Sequence, residues 1–249
     1  MKPRRHQPQP GFTLLELLIA MSLGALVCAG CLAVTMSLTA TVQEQQAHSA
    51  MQQAARFAER RLRNAFEPAG YHPQPWQPAQ EPAVFYAFNS TPPDSDQIAV
   101  QRWSQRNCLG NDNPDRDNQG QPAWYLLQQR FMVRPDGRLA ETCHFGPAQG
   151  PSKRQLNAAT LVSGVETLQI LLAEDTNGDG LSNRWVAPGQ WQHEAAIVGI
   201  HFALLLRSER PLNGAPLSWL LAGQPWSAPD DQHVRLLAAT SVPLRGRLP

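Results

Sequence analysis

The sequence lacks the motifs of the common catalytic sites. It contains no Gly-x-Ser-x-Gly nucleophile turn, no Walker-type phosphate loop and no His-Glu-x-x-His metal motif. It also lacks an excess of charge, since 21 Lys and Arg residues against 20 Asp and Glu residues leave a formal net charge of +1. A near-neutral chain has neither the basic balance of a nucleic-acid binder nor the composition of an acidic tail. We therefore expect a protein that is neither an enzyme nor a nucleic-acid binder.

Charged side chains are almost absent from residues 12–38, where Glu16 is the only one. About twenty consecutive apolar residues are enough to span a bilayer as a helix, and this run is longer. The short segment that precedes the run carries three basic residues, Lys2, Arg4 and Arg5. The positive-inside rule places such a leader in the cytoplasm and the bulk of the chain on the other side of the membrane.

The junction between Gly11 and Phe12 lies before the apolar run, not after it. An ordinary secretory signal has a shorter apolar core and a small-residue cleavage site behind it. Cleavage at Gly11 would instead remove the basic leader and keep the apolar segment in the mature protein. The alternative interpretation is a plain signal anchor that happens to contain Glu16.

Residues 11–20, Gly-Phe-Thr-Leu-Leu-Glu-Leu-Leu-Ile-Ala, resemble the prepilin signal of type IV pilins and type II secretion pseudopilins. The resemblance implies that a prepilin peptidase cuts after Gly11 and methylates the new amino group of Phe12. A carboxylate inside an apolar helix costs about 2.5–3.5 kcal/mol on insertion scales. The resemblance gives Glu16 a partner, the ammonium of Phe12 in its own or a neighbouring subunit, which would align subunits leaving the inner membrane. The alternative is that Glu16 reaches the membrane interface by itself.

A second helical pattern follows the apolar run. Residues 42–66 contain no Gly or Pro, and their apolar positions recur at spacings of three and four. Pro68 and Gly70 then disfavour continuation of the helix. We predict a leader at 1–11, a helix at 12–67 whose part at 12–38 spans the membrane or enters a filament core, and a globular head at 68–249.

The head has the pattern of a β-rich domain. Segments rich in β-formers are separated by turn signals. The predicted strands are 84–88, 97–103, 124–134, 139–145, 165–173 and 195–207, with a weaker candidate at 234–242. One long helix followed by mostly antiparallel strands is an α+β architecture, which is similar to the pilin fold.

Cysteine is scarce, with four residues in the whole chain. Cys28 and Cys31 lie in the apolar run, where we expect them to be small packing residues. Cys108 and Cys143 lie in the exported part, and an oxidising periplasm favours a disulfide between them. Such a bond would close a loop of about 36 residues and contribute about 4 kcal/mol on the loop-entropy estimate.

The order of motifs in the second half of the chain is similar to that of PilW-type minor pilins of type IV pili. It is carried by residues 161–169, 174–180, 184–186 and 197–208. The resemblance implies a low-copy subunit that primes pilus assembly in a tip complex and contributes to adhesion and twitching motility. It implies as partners the major pilin, other minor pilins and a tip adhesin. A minor pseudopilin of type II secretion and a DNA-uptake pilin are the two alternatives.

One loop has the spacing of a calcium site. Residues 175–183 fit the first nine positions of an EF-hand-like loop, with Gly180 at the sharp turn. The ligands would be Asp175, Asn177, Asp179, Leu181 and Asn183. The twelfth position is Val186 rather than a bidentate Glu, so Glu174 or another acid would have to substitute for it. The alternative is an Asx- and Gly-rich turn without an ion. Calcium is the one cofactor that the sequence suggests.

Overall fold

The computed structural model describes residues 13–74, 82–147, 150–212 and 214–247. Contacts divide the chain into two units, Met1–Gln46 and Ala47–Pro249. One long helix, α1 (Leu14–Phe66), begins in the first unit and ends in the second. Pro68 cannot continue the helical pattern, and residues 67–70 form a turn.

The part of α1 in the first unit exposes its apolar side chains. Every Leu, Ile, Val and Met between Leu14 and Leu38 is exposed. The helix is long and apolar enough to cross a membrane, with a mean hydropathy of 2.5 in its most apolar window. An uncovered helix surface of this kind requires lipid or other helices around it.

The second unit contains eleven described strands, and the first five form one antiparallel sheet in sequence order. These strands are β1 (Val84–Phe88), β2 (Gln97–Ser104), β3 (Tyr125–Val133), β4 (Arg138–Gly146) and β5 (Lys153–Ser163). Each strand therefore pairs with its neighbour in the chain, which requires only hairpin connections.

A four-stranded antiparallel sheet and a small hairpin complete the unit. The remaining strands are β6 (Val165–Glu174), β7 (Arg184–Val186), β8 (Ile197–Arg207), β9 (Ser218–Leu221), β10 (Gln224–Ser227) and β11 (Arg235–Pro243). The sheet has the order β11-β8-β6-β7, and β9 pairs with β10. Two short 3₁₀ helices lie at Glu194–Ala196 and Arg245–Arg247.

The C-terminal turns of α1 pack into the core of the second unit. Phe66 makes edge-to-face contacts with Phe131 of β3 at 5.6 Å and with Phe202 of β8 at 6.0 Å, measured between ring centroids. One side chain of the helix thus contacts both sheets. The small helix residues Ala58 and Ala65 are also buried in this core, so the helix backbone can approach the strands closely.

A single residue, Gly164, separates β5 from β6. Its φ is +75°, and a Cβ at this position would lie 2.9 Å from the carbonyl oxygen of Arg207. Only Gly accommodates both the backbone angle and this close approach without strain. The transition between the two sheets therefore depends on this residue. The predicted α+β architecture, one long helix packed on antiparallel sheets, is confirmed.

Candidate functional site

The N-terminal end of α1 is capped by two side chains that bond to each other's backbone. Glu16 Oε2 accepts hydrogen bonds from the backbone N–H and the hydroxyl of Thr13, both at 3.1 Å. Thr13 Oγ1 in turn accepts the backbone N–H of Glu16 at 3.3 Å. This is a capping box, in which a Thr-x-x-Glu spacing satisfies amides that have no partner within the helix. The sequence contains the spacing, but our sequence interpretation did not identify the motif.

The cap also places the Glu16 carboxylate near the predicted processing point. The carboxylate accepts its hydrogen bonds from Thr13, the residue that directly follows Phe12. Gly11 and Phe12 themselves lie outside the described residues, so cleavage and methylation there stay predictions. A carboxylate at the first turn is also favoured by the positive end of the helix dipole.

A buried ion pair joins α1 to β4 within the second unit. The guanidinium of Arg61 donates to both oxygens of Glu141, at 2.8 and 2.7 Å. Glu141 is fully buried, and Gln129 Nε2 donates a third hydrogen bond to it at 2.8 Å. Nearby, burial lowers the pKa of Arg102 and the charge of Arg61 lowers it further, whereas Glu141 acts in the opposite direction.

The disulfide between Cys108 and Cys143 is present, as predicted, with a Cα–Cα distance of 6.0 Å. It connects the segment between β2 and β3 to the buried face of β4. Other contacts also fix this segment. Asn113 Nδ2 donates to the carbonyl oxygens of Ser104 and Ala123 at 2.8 and 2.9 Å.

Two successive turns of the disulfide-linked segment repeat the same hydrogen bonds ten residues apart. Asn107 Oδ1 accepts the backbone N–H groups of Leu109 and Asn111. Asp117 Oδ1 accepts those of Gln119 and Gln121 in the same way. Arg106-Asn107-x-x-Gly110 and Arg116-Asp117-x-x-Gly120 share this pattern, which the sequence analysis did not find.

The predicted calcium loop is closed around Asp175. Its Oδ1 accepts the amides of Asn177 and Gly178 at 3.1 and 2.7 Å, and its Oδ2 accepts the amide of Gly180 at 2.7 Å. Burial alone would raise the pKa of Asp175, but these backbone amides hold it below its ordinary value. The carboxylate is thus ionised and already solvated by the loop itself.

The other predicted ligands also have hydrogen-bond partners. Asn183 Oδ1 accepts the amide of Thr176 at 2.7 Å, and Asp179 Oδ1 accepts the amide of Leu181 at 2.8 Å. Within the ranges that the structure describes, no group of three or more His, Cys, Asp and Glu side chains is arranged to hold a metal ion.

Glu174, the acid proposed to replace the missing twelfth ligand, is engaged elsewhere. It is fully buried, and Arg184 Nη2 donates to its Oε2 at 2.6 Å. Its other oxygen accepts the amides of Gln192 and His193. Burial would raise the pKa of Glu174, but the His193 amide and Arg184 lower it below the ordinary value. Glu174 therefore connects three segments of the head, and calcium binding stays a prediction.

Comparison with solved structures agrees with this fold. The chain superposes on a type IV-like pilin from Thermus thermophilus with a TM-score of 0.52 and 14% sequence identity, covering 79% of this chain and 96% of that one. Residues 7–32 match the prokaryotic N-terminal methylation motif. The apolar helix and the β-rich head are thus arranged in a type IV pilin-like fold, and the motif lies at the start of that helix.

Residues 143–246 match the family described as Type IV Pilus-assembly protein W. No curated protein sequence matches the chain significantly. These two matches and the fold make the chain similar to PilW-type minor pilins of type IV pili. The methylation motif implies processing by a prepilin peptidase and pilin partners in general, and α1 is apolar enough to anchor the chain in a membrane.

Proposed function

We propose that this chain is a PilW-type minor pilin that primes type IV pilus assembly and occupies the tip complex together with other minor pilins, the major pilin and a tip adhesin. The observation that carries the proposal is the exposed apolar N-terminal part of α1, which has one carboxylate, Glu16, in its first turn. Before assembly the helix crosses the inner membrane once and the head lies in the periplasm. After assembly the helix lies in the filament core and the head outside the cell.

A position at the tip is supported by the size of the head. The second unit extends from Ala47 to Pro249 and contains two sheets and a separate hairpin. Bulky heads crowd one another when they repeat along a helical lattice, whereas a tip subunit has space on one side. A low-copy tip subunit would contribute to adhesion and twitching motility without forming the filament shaft.

The alternatives receive less support. A minor pseudopilin of type II secretion has the same leader and fold, but the match over residues 143–246 is to a pilus-assembly family. Neighbouring genes for minor pilins or for secretion components would separate the two. A DNA-uptake pilin requires a basic stripe, and the formal net charge of +1 provides no general excess of positive charge.

The proposal predicts distinct effects of changes at Gly11 and Glu16. We expect mass spectrometry of the wild-type protein to give a chain that begins with N-methylated Phe12, and Gly11→Val to leave Met1 in place. Glu16→Gln keeps an oxygen that accepts from Thr13 but removes the charge that would attract the new ammonium. We therefore expect this variant to be cleaved normally and to be depleted at least about tenfold from sheared pili, since losing about 1.4 kcal/mol is a tenfold change.

The control in this experiment is the amount of each variant in the membrane fraction. Equal membrane amounts with depleted pili assign the defect of Glu16→Gln to assembly, not to folding. Normal incorporation of Glu16→Gln would contradict the assembly role of the charge. Wild-type protein that retains Met1 would contradict the processing itself.

The calcium prediction has its own test. The full chain in detergent is titrated with calcium by calorimetry, with Asp179→Asn as the matched variant that keeps the turn but removes one charge. Because the twelfth carboxylate is missing, we expect a dissociation constant in the range of about 10⁻⁴–10⁻³ M. Absence of heat at millimolar calcium, or identical heats for the variant, would remove the site.

A further inference from the structure

The outer face of the five-stranded sheet carries a groove on the side opposite the hydrophobic core. Phe131 and Leu139 point into that core, and the alternation of strands directs Arg130 and Thr142 to the other side. The groove has a volume of about 620 Å³, within the range of small-ligand sites.

Small and large side chains both line the groove. The small ones are Ala99, Thr142 and Ala158, and the larger ones include Phe85 and Tyr86 of β1 and Arg154 of β5. In the sheet register, Tyr86 pairs with Ala99, Ala99 with Arg130, and Arg130 with Thr142. These residues therefore form one row across four strands.

Neutral groups hold the first groove arginine in place. The guanidinium carbon of Arg130 lies 4.4 Å from the ring centroid of Tyr86, and Arg130 Nη2 donates to Gln97 Oε1. Arg130 Nε is buried and has no hydrogen-bond partner among the described residues. The described residues therefore leave part of the hydrogen-bonding capacity of this guanidinium unused.

The second arginine is held by neutral groups as well. Arg154 Nε donates to His144 Nε2 at 3.0 Å, and its Nη1 donates to Asn157 Oδ1 at 3.3 Å. Burial lowers the pKa of His144, and the charge of Arg154 lowers it further. His144 is therefore neutral at pH 7 and accepts the hydrogen bond without balancing the charge.

The positive charge of the groove has no counter-ion within it. Among the residues that the structure describes, no Asp or Glu lines the groove, and neither Arg130 nor Arg154 forms an ion pair. Several other arginines of the same unit do pair with carboxylates, including Arg61, Arg184 and Arg235. Two fixed and uncompensated guanidinium groups in one concave surface favour an anionic ligand.

We propose that this groove binds a carboxylate-bearing saccharide. Guanidinium groups bind carboxylates through charge-assisted hydrogen bonds. The amide of Gln128 and the hydroxyls of Thr142 and Ser152 would bind sugar hydroxyls, and the half-exposed rings of Phe85 and Tyr86 would contact the apolar faces of sugar rings.

A peptide ligand fits the groove less well. Peptides are commonly bound by addition to a free sheet edge or by insertion of side chains into apolar pockets. This groove crosses the face of the five-stranded sheet, where the backbone of β2, β3 and β4 is already paired on both sides. The edge strands β1 and β5 contribute side chains to it, including Tyr86 and Arg154. The groove therefore offers a ligand side-chain donors and aromatic rings rather than free backbone groups.

The test uses the full mature chain in detergent and a trisaccharide of galacturonic acid, titrated by calorimetry at low salt. The matched ligand is the methyl ester of the same trisaccharide, which keeps the rings and removes the charge. We expect the acid to bind at least about tenfold more tightly than the ester, and its binding to weaken as salt is added. Arg130→Met and Arg154→Met, which keep an apolar stem, should each weaken binding of the acid at least about tenfold.

The control variant is Arg116→Met, because Arg116 is an exposed arginine outside the groove. It should bind the acid as the wild type does, which separates a local effect from a change in overall charge. Equal binding of acid and ester, equal binding by the groove variants, or tighter binding of triglutamate than of the saccharide would each overturn the proposal. Pilus assembly does not enter this measurement, so its outcome is independent of the proposed tip role.

Discussion

Replacing Arg61 with Met is expected to lower the free energy of unfolding of the head by about 3–5 kcal/mol, because it leaves a buried carboxylate without its cation. Glu141 is fully buried, whereas the side chain of Arg61 is 31% exposed. Met preserves much of the apolar stem of Arg61, so the loss measures the charge. Urea unfolding of the full chain in detergent, followed by Trp fluorescence, gives the change in free energy.

Removing the two members of this pair one at a time should cost unequal amounts of stability. In Arg61→Met the remaining Glu141 keeps only the hydrogen bond from Gln129. In Glu141→Gln the remaining Arg61 reaches solvent, so the loss should be smaller. The double variant Arg61→Met with Glu141→Gln should recover part of the stability, since no unpaired charge stays buried.

A matched control is available two positions along the same helix. Arg63 pairs with Glu59 at 3.2 Å, but both side chains are more than a third exposed. Exposed pairs contribute about 0–1 kcal/mol, and Arg63 also donates to Thr240 Oγ1 at 3.2 Å. Arg63→Met should therefore cost clearly less than Arg61→Met, because it leaves no buried charge unpaired. Equal losses for Arg61→Met and Arg63→Met would contradict the importance of burial. Full stability of Arg61→Met would show that another cation, such as Arg102, whose pKa is lowered by burial but raised by the charge of Glu141, replaces Arg61.

Much of the fold could be predicted because it is encoded locally. The helix predicted at 12–67 is close to the observed α1 (Leu14–Phe66). It was predictable because the apolar run is followed by a helical pattern without Gly or Pro, which ends before Pro68. The strands of the core, such as β3 (Tyr125–Val133) and β8 (Ile197–Arg207), lie within or close to the predicted segments because buried strands are rich in apolar β-formers.

Strands with polar or short sequences were missed. The β5 strand (Lys153–Ser163) lies at the edge of its sheet and has only one buried residue, Val162, so it lacks the run of apolar β-formers that marks a buried strand. The β9–β10 hairpin has only four residues in each strand and contains Pro225. Edge strands pack one side against solvent, and their sequences therefore resemble those of loops.

The functional features also differ in whether one short segment of the sequence encodes them. Residues 11–20 carry the processing signal within one short segment, and the disulfide followed from the presence of two cysteines in the exported part. The pair Arg61 and Glu141 is separated by 80 residues in the chain, and the groove depends on the register of four strands. A register shift by one residue would turn Arg130 into the core, so neither feature can be read from local sequence.

Removing the disulfide by Cys108→Ser with Cys143→Ser is expected to lower the free energy of unfolding by about 4 kcal/mol. The bond spans a sequence separation of 35 residues, and its main effect is to restrict the unfolded chain. The native segment should keep its conformation, because Asn113 still bonds to Ser104 and Ala123, and Tyr125 still donates to Asp115. Unchanged native spectra with a lower urea midpoint are therefore the expected result.

Thiol counting distinguishes this account from a general loss of packing. The unreduced full chain in detergent should show two reactive thiols, those of Cys28 and Cys31, which are exposed and free. Their replacement by Ala should leave the urea midpoint unchanged, since they lie outside the unit that unfolds. Reduction of the wild type should reproduce the midpoint of the double variant. Four reactive thiols in the unreduced protein would contradict the bond, and a double variant as stable as the wild type would contradict its contribution to stability.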